Sequence, residues 1–226
     1  QAALTVVQDS FKDPEEYHSV NVDGTENIFK IAQKNNFKVV YASSSSIYGH
    51  QENVPILENF NKKPINPYGK TKLDDEIIAE KYSKLGVKII GLRYFNIFGK
   101  GQTIEYAGVI TKFLDRIQDG KPPIIFGDGS QIRDFIHVED IANANYLAMT
   151  SDVSNLHVNI GTGNAISILE LAKTMIDVSD LNLQPIMLEA LDGDIQKSHS
   201  DSSLAKISFG WISEMKLEDW LKETIK

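Results

Sequence analysis

Phe37-Lys38-Val39-Val40-Tyr41-Ala42-Ser43-Ser44-Ser45-Ser46-Ile47-Tyr48-Gly49, followed by Asn66-Pro67-Tyr68-Gly69-Lys70-Thr71-Lys72, is the stretch on which the fold turns. Residues 37–42 are a short apolar run bounded by polar residues, the pattern of a parallel strand buried on both faces. Ser43 and Ser44 then fall where the strand gives way to its loop, the edge at which open α/β sheets bind ligands. Asn66 can cap a helix, Pro67 suits its first position, and residues 72–82 are rich in helix formers before Gly86 stops them. Tyr68 and Lys72 stand four residues apart, so they share a face of that helix. A free phenol titrates near pH ~10 and is a poor proton acceptor at neutral pH, but an ammonium held beside it favours the phenolate. Tyr68 is therefore a candidate general base.

Working outward, the chain alternates as βαβ units do. Asp13-Pro14 starts a helix that ends near Asn35-Asn36, with Val20, Ile28, Phe29 and Ile31 on a broad apolar stripe. The strands at 37–42 and 87–93 flank the Tyr68 helix, and together these are the remains of a doubly wound sheet. After Phe98 come a Gly-rich link, a helix near 105–118, a short strand at 123–126 and a charged segment at 128–134. A helix at 138–150 and a strand at 156–160 are expected to return to the first domain. Ser167 caps another amphipathic helix, and the remainder runs through Trp211 and Trp220. The expected fold class is α/β: a partial Rossmann-like parallel sheet lacking its N-terminal βαβ part, with a smaller α+β lobe.

Composition removes several classes of function. With 226 residues, 42% of them hydrophobic, there is ample material for a core. No cysteine excludes a thiol nucleophile and a disulfide framework, which fits a reducing, cytoplasmic setting; five scattered histidines offer no metal-ligand spacing. No apolar run approaches the roughly 20 residues that span a bilayer. A net charge of -8 disfavours a nucleic-acid backbone as partner, while one or two placed arginines suffice for a small phosphorylated ligand.

Eight separated motifs carry a resemblance. They are Asn21-Val22-Asp23-Gly24-Thr25, the serines with Tyr48-Gly49, Tyr68 with Lys72, Arg93-Tyr94-Phe95-Asn96 and, further on, Phe126-Gly127-Asp128-Gly129. Arg133 to Asp140, Asn159-Ile160-Gly161-Thr162-Gly163 and Gly193-Asp194-Ile195 complete the series. In this order the chain resembles the extended short-chain dehydrogenase/reductase family, specifically its NAD-dependent nucleotide-sugar epimerases of the UDP-glucose 4-epimerase type. The resemblance implies that residues 1–98 are the NAD-binding remnant, with 138–163 returning to it, and that 99–137 and 164–226 form the substrate lobe. The family's dinucleotide site opens with a strand, a glycine-rich turn and a helix. Here Gly99-Lys100-Gly101, Gly127-Asp128-Gly129 and Gly161-Thr162-Gly163 each lack the third glycine. The chain begins with Gln1 inside what resembles the loop after the family's fourth strand. It is accordingly expected to be an N-terminally truncated piece that binds NAD weakly by itself.

On the family's model Tyr68 takes the proton of the sugar 4-hydroxyl, Lys72 tunes it and holds the nicotinamide ribose, and Ser44 hydrogen-bonds the same sugar oxygen. Nicotinamide serves as the electron sink, and no metal is required. Ala2, Ala3, Asn21, Ser43 and Tyr94 join Tyr68 and Lys72 as the residues implied to contact the cofactor. Phe95, Asn96, Phe126, Arg133, Asp194 and Ser198 are those implied for the nucleotide-sugar: Asn96 on the sugar nucleotide, Phe126 against the base, Arg133 on the diphosphate and Asp194 on the ribose. Arg93 reads as a core residue at a strand end. Ser45 and Ser46 stand where the related 4,6-dehydratases carry an Asp-Glu pair, which disfavours elimination. Leu191 replaces a second phosphate-binding arginine of the family, with Lys197 a candidate to compensate. Ser198 occupies a gate at the sugar's 2-substituent, where a tyrosine marks the narrow enzymes, so UDP-N-acetylglucosamine is expected to be accepted alongside UDP-glucose. A homodimer through the helices near 14–34 and 68–84 is implied. A UDP-glucuronate epimerase or decarboxylase, and a non-catalytic sugar-nucleotide-binding protein or inactive fragment, stay open as alternatives.

Overall fold

Residues 2–102 and 108–225 are described by the computed structural model. The chain opens with α1 (Val7–Ser10) and α2 (Pro14–His18), a π-helical turn (Ser19–Asp23) and α3 (Gly24–Asn35). Asp13 caps α2 by accepting the Glu16 N–H at 2.9 Å, and Asn36 ends α3 in the left-handed region at φ 53°. The expected stripe divides. Phe29 is wholly buried, whereas Val20, Ile28 and Ile31 are exposed, and Tyr17, Val22 and Ala32 point inward instead. A π turn takes more residues than an α turn, so a stripe drawn at α spacing across it goes out of phase.

Next come β1 (Val39–Ser44), a 3-10 turn (Ser45–Tyr48), α4 (Pro67–Lys84) and β2 (Ile89–Tyr94). Strand β1 begins two residues later than expected and continues through Ser44, so both serines sit on the strand's last residues. Asn66 caps α4 by accepting the Gly69 N–H at 2.7 Å, and Pro67 opens the helix, as the sequence predicts. Beyond β2 follow β3 (Asn96–Phe98), α5 (Val109–Gln118), β4 (Ile124–Phe126), β5 (Ile132–His137), α6 (Val138–Thr150) and β6 (Leu156–Ile160). Residues 105–107 of the expected helix at 105–118 lie outside the described residues. The chain closes with β7 (Ala165–Ser167), α7 (Ile168–Ser179), β8 (Ile186–Leu188), β9 (Lys197–Ser198), α8 (Ser203–Phe209) and α9 (Leu217–Ile225). Ser167 forms a full capping box with Glu170 at the start of α7.

Strands β1, β2 and β6 make a parallel sheet in that order, with Ser44 beside Tyr94 and Tyr94 beside Ile160. Helices cover both faces. On one, Phe29, Ala32, Ala79 and Tyr82 of α3 and α4 pack on Val39, Tyr41 and Ile89. On the other, Ile141, Ala144 and Ala148 of α6 pack on Ile90, Leu92 and Val158, joined by Ala205 of α8. Coverage on both sides explains why β2 is buried at every position, and it is the doubly wound arrangement anticipated from the alternating pattern. Trp211, expected with the second lobe, packs instead into this sheet-side core, and its indole N–H donates to the Asp140 carbonyl at 3.0 Å. Trp220 belongs to a separate core built by α5, α7 and α9 around Phe98, Phe113, Ile125, Leu171 and Met175.

A second sheet is centred on β5, which pairs in parallel with β3 and β9 and antiparallel with β7; β4 and β8 form a two-stranded parallel ribbon. No described helix is long and apolar enough to cross a membrane.

Candidate active site

Three backbone features bring the chemistry together. Ser44 ends β1 and Tyr94 ends β2 at the same level of the sheet, because the parallel register pairs them. Phe95 and Asn96 then lead out of β2 into β3. Finally, α4 lies close against the 3-10 turn, where a Cβ on Gly69 would come within 2.7 Å of the Ser46 carbonyl oxygen. Glycine at 69 permits the approach that seats the first turn of α4, with Tyr68 and Lys72, beside the serines.

A buried clamp fixes that seating. Glu76, one turn beyond Lys72, accepts from Arg93 Nε at 2.8 Å and Arg93 Nη2 at 2.9 Å, from Ser43 Oγ at 2.8 Å, and pairs with Lys62 at 2.9 Å. Arg93 Nη1 donates to Tyr48 Oη at 2.7 Å, and Tyr48 donates to Asn159 Oδ1 at 2.7 Å. The network therefore ties α4 to the C-terminal ends of β1, β2 and β6. Burial acts to raise the Glu76 carboxyl, but Arg93, His157 and Lys62 outweigh it and hold it at about 2. Arg93 is the core residue the sequence suggests, whereas the part played by Glu76 was not read from the sequence; its place four residues after Lys72 was the available signal.

The cavity bounded by these elements encloses about 1100 Å³. At one end stand Ser44, Tyr68 and Lys72. Lys72 is buried, and its ammonium donates to the Ala42 carbonyl at 3.1 Å and to Asp75 Oδ2 at 3.2 Å. Ser44 Oγ accepts the Ser46 N–H at 3.2 Å. Tyr68 is half-buried, and its phenol makes no hydrogen bond among the described residues. Ala3 and Tyr94 also line this end, and Tyr94 Oη is fixed by Asn145 of α6.

The far end carries the residues expected to meet a substrate. Phe95 lines the cavity and is backed by Ile47, Tyr48 and Ile56. Asn96 Nδ2 donates to the Asp134 carbonyl at 3.1 Å and to Ser198 Oγ at 3.3 Å. Arg133 and Asp194 form an ion pair at 2.5 Å, and burial draws the guanidinium below its ordinary value. Phe126 and Leu191 form a partly exposed apolar mouth. Asp134 itself lies behind the wall, accepting from Thr162, Gly163 and Ser200, which fixes the strand end that presents Ser198.

Twelve of the expected site residues thus line one cavity, and two do not. Asn21 is buried away from it: its amide bonds the Leu4 backbone at 2.8 and 3.0 Å and Thr71 Oγ1 at 3.1 Å, pinning the N-terminal segment to α4. Ala2 is exposed beside Ala3 and does not line the cavity. Ser43 touches the cavity, but its hydroxyl is committed to Glu76. Lys197 is turned outward with its ammonium on the Glu52 carbonyl at 2.9 Å, so it does not take the place of a cation at Leu191. The charged side chains lining the cavity among the described residues are Lys72, Lys112, Arg133 and Asp194. The one carboxylate of that set is held by Arg133, which leaves no free acid beside Tyr68.

Comparison with known proteins agrees with this geometry. The model of the NAD dependent epimerase/dehydratase family matches residues 1–161. A putative UDP-glucose 4-epimerase of Methanocaldococcus jannaschii is 35% identical, over 100% of this chain and 74% of its own length. The UDP-N-acetylglucosamine 4-epimerase of Methanobrevibacter ruminantium, solved with UDP-N-acetylmuramic acid, superposes with a TM-score of 0.94 at 35% identity, covering 100% of this chain and 74% of that one. A protein named MoeE5, solved with UDP-glucose and NAD, gives 0.93 at 31% identity, over 100% of this chain and 76% of its own. From its parallel sheet with helices on both faces, its Tyr68 helix and these matches, the chain belongs to the NAD dependent epimerase/dehydratase family.

Proposed function

We propose that this protein is an NAD-dependent 4-epimerase of a UDP-hexose or UDP-N-acetylhexosamine. One observation carries the reading: Ser44, Tyr68 and Lys72 face the same cavity as Asn96, Arg133 and Ser198, a proton-handling end joined to a phosphate-binding end. The site residues fit the nicotinamide part of NAD, because Lys72 offers a buried, oriented ammonium, and Tyr94, clamped by Asn145, forms a wall beside it. Bound there, NAD would supply a reversible hydride acceptor for the sugar's C4, the chemistry that inversion at that carbon requires. The chain supplies everything else. Tyr68, whose phenol makes no hydrogen bond among the described residues, takes the 4-hydroxyl proton and gives it back; Ser44 holds the same oxygen; Lys72 stabilises the phenolate. Arg133 meets the diphosphate, where its Asp194 partner keeps the fork oriented, and Asn96 with Ser198 faces the sugar.

Residues 1–98 with 138–163 are the cofactor side in this proposal, and 99–137 with 164–226 the substrate side, α8 and Trp211 being a part of the latter that packs on the sheet. The absence of a free carboxylate beside Tyr68 among the described residues favours epimerisation over elimination, which requires its own acid and base. The working form is a homodimer.

The test is to incubate the protein with NAD and, separately, UDP-glucose, UDP-N-acetylglucosamine and UDP-glucuronate, following C4 inversion by NMR. Inversion of one of the first two, reduced by about 10²–10⁴-fold in Tyr68→Phe at unchanged fold, is the expected result. Turnover confined to UDP-glucuronate, or undiminished in Y68F, overturns the reading.

A further inference from the structure

One buried charge has no task in that scheme. Asp75 follows Lys72 by three residues on α4 and is entirely shielded from solvent. Its Oδ2 lies 3.2 Å from Lys72 Nζ, its Oδ1 has no hydrogen-bond partner among the described residues, and the Thr25 hydroxyl, beyond hydrogen-bond distance of Oδ1, acts with Lys72 to favour the ionised carboxyl. Around it stand Lys72 and Asp74 on its own helix, the Thr25 hydroxyl on α3 and the Tyr41 phenol on β1. Such a position is costly for folding, since an apolar side chain would avoid both the desolvation and the orphaned oxygen. The neutral Thr25 hydroxyl across on α3 gives little reason for a charged carboxylate here. Lys72 does.

An ammonium has three N–H bonds and rotates freely on its stem unless acceptors fix it. The Ala42 carbonyl takes one and Asp75 Oδ2 another. Tetrahedral geometry then determines the direction of the third, and Lys72 borders the cavity that Tyr68 also lines. We propose that Asp75 is a positioning residue for Lys72: with the Ala42 carbonyl it occupies two of the three ammonium N–H bonds and reserves the third for the cavity. The inference rests on the proposed role of Lys72 beside Tyr68 and adds a residue to it. Asp75 touches neither sugar nor cofactor and acts through the lysine alone.

Two variants separate acceptor from shape. Asp75→Asn retains an oxygen acceptor at the same place, whereas Asp75→Ala removes it. The first readout needs no cofactor and no turnover: the ¹H–¹⁵N signal of the Lys72 ammonium at neutral pH, assigned by its loss in Lys72→Met. Fixed N–H bonds exchange slowly enough to be seen, so the signal is expected in the wild type and in D75N and lost in D75A. Its absence from the wild type, or its survival unchanged in D75A, overturns the proposal. The second readout is kinetic: D75A is expected to lower kcat by about 10-fold or more at unchanged KM for the sugar nucleotide, with D75N restoring most of the loss. Equal losses in the two variants, or a change confined to KM, also overturn it. Far-UV circular dichroism checks the fold, and D75N keeps the test decisive if D75A fails to fold. Should the wild type show no epimerisation, the proposed function fails and the ammonium signal still decides the role of Asp75.

Discussion

At the residue scale, Ser198 gathers the most consequence into the smallest side chain. It is buried at the cavity wall, its hydroxyl accepts from Asn96, and its backbone is held opposite Arg133 by the pairing of β5 with β9. A residue so placed is expected to grow into the space in front of it, because the Ser200 N–H bond to Asp134 and the Ile132 N–H bond to the Gln196 carbonyl fix the backbone on either side. Ser198→Tyr is therefore expected to fill the part of the cavity beside the sugar. In the proposed pose it selects against the N-acetyl sugar, lowering the ratio of UDP-N-acetylglucosamine to UDP-glucose kcat/KM by about 10-fold or more, the scale of a steric clash in a packed pocket. An unchanged ratio removes Ser198 from the specificity of the enzyme. How far such residues were legible depended on their neighbours in sequence. Tyr68, Lys72 and Ser44 follow from local signals, a strand end and a capped helix, which act over a few residues. Asn21 did not, because its two donors are claimed by Leu4 and Thr71, the latter fifty positions away. No local pattern records which of several acceptors a buried amide will meet.

At the scale of the element, α4 is the part that has to be held still, and two adjacent carboxylates on it titrate in opposite senses. Glu76 is held at about 2 in the fold, below its ordinary value, so its stabilising contribution is present above pH ~4.5 and lost as the pH falls through 2. Asp75 is pushed by burial up to about 6, so its contribution is present below pH ~4 and lost as the pH rises through 6. Each difference corresponds to a term on the order of 3 kcal/mol. Urea unfolding across pH 3 to 8 is expected to show the Asp75 gain between pH ~7 and ~4 and the onset of the Glu76 loss below it. D75N should lack the first slope and keep the second; an identical slope in D75N excludes Asp75 as its origin. Glu76→Gln leaves Arg93 buried without its counter-charge, and an expected loss of about 3–5 kcal/mol near neutral pH follows. The existence and type of the main elements were legible because period, caps and turn residues agree along 37–98. Their phase was less so: the π turn at Ser19–Asp23 rotates one face of the leading helix, and it leaves no compositional mark.

At the scale of the whole molecule, the proposed homodimer would meet through the exposed apolar residues of the helices that follow that turn. Val20, Ile28 and Ile31 are exposed at 42%, 50% and 50%, and Ile77 on α4 at 55%. Asn21 touches Thr71, and Glu26 touches Lys81, so α3 and α4 run side by side in the same direction and share an outward face. Four exposed apolar side chains on two adjacent helices are the kind of surface that soluble proteins cover. Two copies related by a two-fold axis would set the helix pair against itself as a four-helix layer, the self-complementary arrangement favoured in symmetric dimers. The same α4 carries Tyr68 and Lys72 at its N-terminal end, so covering its outer face would also hold from behind the helix proposed to carry the chemistry. An isologous contact doubles every substitution, because each altered residue lies near its symmetry mate. Ile28→Glu with Ile77→Glu thus places four carboxylates in one apolar layer, and unpaired buried charges are not tolerated there. Sedimentation equilibrium at tens of micromolar is expected to give a dimer for the wild type and a monomer for the double variant, with circular dichroism unchanged. A wild-type monomer, or a double variant that stays dimeric, would mean that the exposed isoleucines serve some other contact and that α4 is steadied by the Glu76 clamp alone.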